Sequence, residues 1–242
     1  KDIRTNEQNK EGLTPLCIAA KYDKKQALGC LMNDSRIDVN CCELKMNNSP
    51  LHIAVNYCNV DIVTYLLNDE RVDVNIKNEI GISPLYLAVL KKICPIVKVM
   101  IGYGRINVND TNGPHSNTAL HETASNGNYN IALMLLSRSE IDVNCRNEFD
   151  KTPLFIAVER DNKEIVQILL SHPDLDVNCQ CGKKGDTPLH LAVKLNNQQI
   201  IKLLLTHTKI SIDCKNSLGE VPLMLAQDSE FITHLLEERR IQ

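Results

Sequence analysis

One short pattern recurs along the whole chain and restricts the fold more than any other feature of the sequence. Its clearest copy, residues 185–205, reads GDTPLHLAVKLNNQQIIKLLL. The hydroxyl of Thr187 can accept backbone N–H bonds as an N-cap, and Pro188 at the first helical position loses no intrahelical hydrogen bond. A short helix is therefore predicted from Pro188, with an apolar face made by Leu189, Ala192 and Val193.

The same stretch predicts a second short helix. Asn196 and Asn197 are suited to break the first helix, because asparagine tolerates the left-handed backbone conformation. The second helix then carries an apolar stripe made by Ile200, Ile201, Leu204 and Leu205. Two helices of this length cannot bury their apolar faces alone, so each pair needs a similar pair on either side.

Copies of the unit follow one another at a near-constant spacing. The predicted cap positions are Thr14, Ser49, Ser83, Thr118, Thr152, Thr187 and Val221. The steps alternate: 49−14=35, 83−49=34, 118−83=35, 152−118=34, 187−152=35 and 221−187=34. A T-P-L-H-x-A core at such a period is typical of ankyrin repeats. The core is complete at Ser49-Pro50-Leu51-His52 and Thr187-Pro188-Leu189-His190, with paired leucines and Asp-Val-Asn triplets between copies.

The chain therefore resembles the ankyrin-repeat family over nearly its whole length. The resemblance implies an all-α fold, an ankyrin-repeat solenoid of helix-turn-helix units with projecting β-hairpin fingers. We expect a single ankyrin-repeat domain over residues 1–242, since each repeat contacts only its neighbours. The expected repeats are about 3–36, 37–71, 72–105, 106–140, 141–174, 175–209 and 210–242, the last a degenerate C-terminal cap.

Two repeats depart from the pattern. In the third, Ile93-Cys94-Pro95 replaces the usual turn, and Gly102 and Gly104 follow the second helix. In the seventh, Val221 cannot cap a helix and three residues are missing. Hydrogen exchange is therefore predicted to show these two regions opening first. Repeats two, four and six each have a finger one residue longer than the others, which accounts for the alternation of 34 and 35.

Charge and cysteine content exclude several classes. The net charge of −3 gives no general attraction to nucleic acid or anionic membranes, and no apolar run approaches the ~20 residues of a membrane helix. The ten cysteines are predicted to be free thiols in a reducing compartment. Four of them share one repeat position after the triplet, too far apart for disulfides: Cys41, Cys145, Cys179 and Cys214.

No catalytic, cofactor or metal site is predicted. The strongest metal candidate, Cys179 and Cys181 with nearby histidines, lacks the second ligand pair of a zinc site. The chain has no nucleophile motif, P-loop or dinucleotide fingerprint. By resemblance, His52, His121 and His190 are structural and bond backbone near the turns; Cys17, Tyr86, Phe155 and Met224 replace them elsewhere.

By resemblance, the expected function is non-catalytic binding of a partner protein on the concave face of fingers and first helices. The chain would act as adaptor, scaffold or masking inhibitor, as a monomeric array or in a hetero-complex, in the cytoplasm or nucleus. The alternative is a targeting or regulatory fragment of a larger effector such as an ion channel, enzyme or toxin; the start at Lys1 without Met favours a fragment. Candidate binding residues are Tyr22, Tyr57, Ile80, Lys91, His115, Phe149, Arg160, Lys184 and Leu195.

A modification is also suggested by the resemblance. Some ankyrin proteins are hydroxylated on the asparagine of the triplet. Asn75, Asn144 and Asn178 resemble such acceptors, because each has a leucine eight residues earlier.

Overall fold

A computed structural model describes residues 6–226 and 230–241. The described residues form two compact units, one up to residue 114 and one from residue 115 onwards. The boundary lies inside the expected fourth repeat, and the single-domain organisation stays a prediction. The first three residues of the expected first repeat, 3–5, and residues 227–229 and 242 of the last lie outside the described residues.

The first unit holds three helix pairs. They are α1 (Pro15–Lys21) with α2 (Lys25–Met32), α3 (Pro50–Asn56) with α4 (Val60–Leu67), and α5 (Pro84–Leu90) with α6 (Cys94–Ile101). First helices pack on first helices and second helices on second helices in successive pairs. The core between them is apolar and includes Leu16, Leu28, Leu51, Ile62, Leu66 and Met100. Burying each such side chain stabilises the fold by about 1.5–3 kcal/mol.

The second unit repeats this arrangement. Its helix pairs are α7 (Ala119–Asn126) with α8 (Tyr129–Leu136), α9 (Pro153–Glu159) with α10 (Lys163–Leu170), and α11 (Pro188–Lys194) with α12 (Gln198–Leu205). A 3-10 helix, Pro222–Leu225, and α13 (Glu230–Ile241) follow. The eroded seventh copy therefore keeps a single turn of its first helix, since Val221 provides no side-chain cap.

The predicted caps are confirmed. Thr14 accepts the amide hydrogen of Cys17, and the same bond occurs at the other predicted positions before Val221: Ser49, Ser83, Thr118, Thr152 and Thr187. Each satisfies one of the donors that the start of a helix leaves without a partner. The starts of these six first helices were therefore predictable to the residue.

The fingers, the loops that precede each first helix, contain turns rather than predicted strands. Within residues 6–226 and 230–241 the chain forms no β-strand. The nearest features are single bridge positions in two long fingers, at Cys181 with Asp186 and at Asn112 and Asn117. A short finger closes with Asn78 N donating to Ile82 O at 3.0 Å. A long finger closes across one more residue, as between Glu43 N and Asn48 O at 2.9 Å.

The hydrogen bonds of the repeat histidines also alternate along the chain. The histidines occupy only the repeats with long fingers, and each Nε2 reaches a backbone carbonyl of the next repeat. The pairs are His52 with Ile82 at 2.8 Å, His121 with Lys151 at 2.9 Å and His190 with Glu220 at 3.0 Å. The predicted structural role of these histidines is confirmed.

Asparagines of the short fingers make a second link at the same junctions between repeats. Each donates from Nδ2 to the residue before the cap in the preceding long finger. The pairs are Asn78 with Asn48, Asn147 with Asn117 and Asn216 with Asp186, at 3.0, 2.9 and 2.8 Å. They recur at 147−78=69 and 216−147=69 residues. These histidine and Nδ2 links therefore recur with a period of two repeats, 34+35=69 residues.

The turn between the helices of a repeat needs one left-handed residue. In the fourth repeat this residue is Gly127, with φ 69°. In repeats one, two, three, five and six it is a non-glycine residue with φ 53–60°: Asp23, Cys58, Lys92, Asp161 and Asn196. In the third repeat the sequence interpretation placed this turn at Ile93, which is wrong by one residue. Ile93 occupies the N-cap position of α6, and Pro95 lies in its first turn.

Exchanging residues at this turn should change stability in opposite directions. Gly127→Ala is expected to lower the free energy of unfolding by about 1–2 kcal/mol, because L-residues are strained there. Its Cβ would also lie 2.9 Å from Asn162 Oδ1. Lys92→Gly relieves such strain and should raise stability by about 0.5–1 kcal/mol. Urea denaturation measures both changes.

Gly104→Ala is the control, since Gly104 has no positive φ and open space around its Cβ position. It should not destabilise the protein. Equal effects of alanine at positions 104 and 127 would contradict the assignment of the left-handed turn.

Candidate protein-binding face

The first unit gathers two exposed tyrosines around one lysine. Tyr22 and Tyr57 follow the last residues of α1 and α3, and their side chains are 56% and 48% exposed. Lys21 Nζ lies 5.2 Å from the ring centroid of Tyr22 and 5.9 Å from that of Tyr57. Both distances fall within the range of cation–π attraction. The two predicted tyrosines therefore share one surface patch.

Lys21 is held in place by an ion pair. Its Nζ lies 3.3 Å from Glu11 Oε2, on the tip of the first finger. The hydrogen bond to Glu11 raises the pKa of Lys21 above its ordinary value, so the ammonium group stays charged. Sequence reasoning missed Lys21, although it directly precedes Tyr22. A shallow depression beside the patch is lined by Glu11, Leu13, Lys21, Glu43, Lys45, Asn48, Ile53, Asn56 and Tyr57.

The other candidates of the first unit lie further along. Lys91 follows the last residue of α5 and donates to Asn56 O at 3.2 Å. Ile80, 46% exposed, lies on the tip of the third finger. The adjacent Glu79 N donates to Met46 O at 2.9 Å, which joins the second and third fingers.

In the second unit the structure brings together one pair of candidates. The rings of His115 and Phe149 lie 5.0 Å apart between centroids and are inclined by 44°. His115 Nδ1 is 2.7 Å from Glu148 Oε1. Phe149 remains 50% exposed, so the pair both joins neighbouring fingers and presents an apolar surface.

The three remaining candidates of the second unit are exposed. Within residues 115–226 no hydrogen bond or ring contact joins them to one another. Arg160 follows α9 and Leu195 follows α11, where it is 50% exposed. Lys184 lies at the tip of the sixth finger, and its carbonyl accepts the Ser217 amide at 2.8 Å. Their membership of one binding surface stays a prediction.

The triplet asparagines bridge repeats with both ends of the amide. Asn75 Nδ2 donates to Arg105 O at 2.7 Å, and its Oδ1 accepts the amide of Asn107 at 2.9 Å. Asn144 and Asn178 bond in the same way to the repeats that follow them. Their hydroxylation stays a prediction.

The cysteines and acidic residues of the described chain form no metal site. All ten cysteines are free thiols in this structure. Among the described residues, no three His, Cys, Asp or Glu side chains converge to hold a metal ion. None of the helices in the described part of the chain is long and apolar enough to cross a membrane.

Comparison with known proteins identifies the family. A family model of ankyrin repeats, three copies to a model, matches residues 1–78, 70–147 and 154–241. The chain belongs to the ankyrin-repeat family. Ankyrin-repeat domains are generally non-catalytic protein–protein interaction modules, and the all-α ankyrin solenoid fold is confirmed.

Individual relatives extend this comparison. An ANK repeat-containing protein of Caenorhabditis elegans, nipk-1, is 31% identical over 84 residues, 35% of this chain and 14% of that protein. The ankyrin-repeat domain of Bcl-3, described as a unique member of the IkappaB protein family, has a TM-score of 0.81 at 24% identity, covering 94% of this chain and all of that domain. The human ASB11 ankyrin-repeat domain has a TM-score of 0.67 at 24% identity, covering 94% of this chain and 98% of that domain. At this identity the two structures indicate the fold alone.

Proposed function

We propose that this ankyrin-repeat chain binds a partner protein on the face made by its fingers and first helices, as an adaptor, scaffold or masking inhibitor. The observation that carries the proposal is the patch of Tyr22 and Tyr57 around Lys21. Tyrosine is enriched among residues that dominate binding energy. Two half-exposed tyrosines beside a fixed ammonium group give a large amphipathic contact surface.

Under this proposal the chain acts in the cytoplasm or nucleus, either as a monomeric array or as part of a hetero-complex. Ten free cysteines support a reducing compartment. A second candidate is a targeting or regulatory segment of a larger effector. It is favoured by the nipk-1 match, in which the shared segment makes up only 14% of the relative.

The binding face can be tested by photo-crosslinking followed by affinity measurement. A benzophenone amino acid replaces Tyr57 in one variant and Tyr129, an exposed tyrosine on the second helix α8, in another. Mass spectrometry identifies the protein captured at position 57. Its affinity is then measured by calorimetry for the wild type, for Tyr22→Ala with Tyr57→Ala, and for Tyr129→Ala.

The double variant should lose at least ~2 kcal/mol of affinity, about 30-fold, with a nearly unchanged melting temperature. Tyr129→Ala should bind as the wild type does. If the double variant melts earlier but binds normally, the two tyrosines are structural and the partner lies elsewhere.

A further inference from the structure

Two buried cysteines lie side by side between the fifth and sixth repeats. Cys179 and Cys181 flank the exposed Gln180 and are 7% and 1% exposed. They form a buried cluster with Phe155 and Leu191. Both side chains belong to this one cluster, so the two thiols lie on the same face of the sixth finger.

Cys181 stands where the other long fingers use a polar side chain. Its position six residues before the cap, 187−181=6, corresponds to Glu43 and Asn112, since 49−43=6 and 118−112=6. Glu43 accepts the amides of Lys45 and Met46 at 2.7 Å each. A thiol cannot replace this carboxylate as a strong acceptor, so turn formation does not explain Cys181.

A guanidinium group contacts the first of the two sulfurs. Arg146 Nη2 lies 3.0 Å from Cys179 Sγ, while its Nη1 donates to Asp150 Oδ1 at 2.5 Å and to Gln180 O at 2.8 Å. These two bonds hold the guanidinium group against the sulfur. A positive charge beside a pair of thiols favours a thiolate, which is the reactive form. The hydrogen bond with Cys181 and burial raise the pKa of Cys179 itself, so the thiolate of the pair forms on Cys181, whose pKa Arg146 helps to lower.

The second sulfur is surrounded by weaker polar contacts. Cys181 Sγ donates to Cys179 O at 3.5 Å and lies 3.7 Å from Thr152 Oγ1. A hydrogen bond with the Cys179 side chain, which stabilises the Cys181 thiolate, lowers the pKa of Cys181 to about 7, with further contributions from Thr152 and Arg146. By contrast, burial and the Asp142 carboxylate raise the pKa of Cys145 to about 12.

We propose that Cys179 and Cys181 form an oxidisable dithiol that reacts with small hydroperoxides to give a reversible intramolecular disulfide. The thiolate of the pair attacks a peroxide oxygen; an S–O bond forms, the O–O bond breaks, and the leaving hydroxide takes a proton from solvent. The second thiol then attacks the resulting sulfenic acid. The S–S bond forms, the S–O bond breaks, and the hydroxyl group leaves as water with the thiol proton.

The balance requires one hydrogen peroxide for two thiols and releases two waters. Two electrons pass from the sulfurs to the peroxide, and a thiol reductant reverses the step. The disulfide ends the thiol contact of Arg146. The reaction therefore alters the junction of the fifth and sixth repeats and does not depend on the proposed binding face.

Mass spectrometry can isolate this pair from the other eight cysteines. Trypsin cleavage after Lys163 and Lys183 gives peptide 164–183, whose only cysteines are Cys179 and Cys181. Reduced full-length protein is exposed to hydrogen peroxide, alkylated under denaturing conditions and digested. We expect peptide 164–183 without alkyl groups and about 2 Da lighter than the dithiol, the mass of two hydrogen atoms. Treatment with dithiothreitol should restore double alkylation.

Variants separate the roles of the residues. Cys179→Ser and Cys181→Ser should abolish the lighter peptide, and at least one should accumulate a sulfenic acid that dimedone traps. Arg146→Gln should slow disulfide formation about tenfold, whereas Arg146→Lys, which keeps the charge, should slow it less. Circular dichroism checks that each variant is folded.

The exposed Cys30 and Cys58 are internal references for general oxidation. If they are oxidised while both thiols of peptide 164–183 remain alkylated, the proposal is overturned. Disulfides that join Cys179 or Cys181 mainly to other cysteines would overturn it as well. A normal rate in a folded Arg146→Gln variant would remove Arg146 from the mechanism.

Discussion

Replacing His121 with alanine is expected to lower the free energy of unfolding by about 3 kcal/mol. The side chain is completely buried. Nδ1 accepts the Thr118 amide at 3.2 Å, so Nε2 carries the hydrogen and donates to Lys151 O at 2.9 Å. Alanine would remove this donor from the Lys151 carbonyl, which keeps only the amide of Asn147 at 3.1 Å, and would leave a cavity between two repeats.

The matched control occupies the same repeat position. Met224 stands where the histidine would be in the seventh copy and is 70% exposed. Met224→Ala should change stability by less than about 0.5 kcal/mol. Urea denaturation compares the two variants, and a loss for His121→Ala no larger than for Met224→Ala would show that the inter-repeat link contributes little.

Acid provides an independent readout of the same histidines. Burial lowers the pKa of His121, and lowers that of His52 from 6.5 to about 4. As the pH falls, these two histidines therefore stay neutral in the folded state but take up protons in the unfolded state. The stabilisation is complete above the unfolded pKa and is lost as the pH falls from 6.5 towards 4. His121→Ala should be less sensitive to pH over this range than the wild type.

Local signals made the helices predictable from sequence. A capping hydroxyl followed by proline, as at Thr187 and Pro188, fixes a helix start through two independent preferences. The turn of the third repeat was less predictable. Lys92 adopts the left-handed conformation there because it occupies the position that Gly127 takes in the next repeat. Lysine disfavours this conformation, so its residue type gave no signal for the turn.

The geometry of the candidate binding patch was predictable only in part. Exposure of Tyr22 and Tyr57 followed from their repeat position. Their meeting around Lys21 did not, because it depends on the ion pair with Glu11 from the first finger. Likewise, the finger asparagines recur every 69 residues in the sequence, yet only the structure shows that their amides join alternate repeats.

These asparagines are expected to contribute strongly to stability. Asn147→Ala should lower the free energy of unfolding by about 2–3 kcal/mol, because one buried side chain makes three hydrogen bonds. Oδ1 accepts the amides of Phe149 and Lys151 at 3.0 Å each, and Nδ2 donates to Asn117 Oδ1 at 2.9 Å. The first two bonds shape the fifth finger, and the third joins it to the fourth.

Two further variants separate these contributions. Asn147→Asp keeps both acceptor bonds and loses only the donor, so it should cost about half as much as alanine. Asn130→Ala, on the exposed surface of α8, should cost less than about 0.5 kcal/mol. Amide hydrogen exchange locates the effect: in Asn147→Ala the Phe149 and Lys151 amides should exchange faster, and in Asn147→Asp they should stay protected. If all three variants leave those amides equally protected, the finger is held by its backbone turn, and the 69-residue period has no energetic basis in the asparagines.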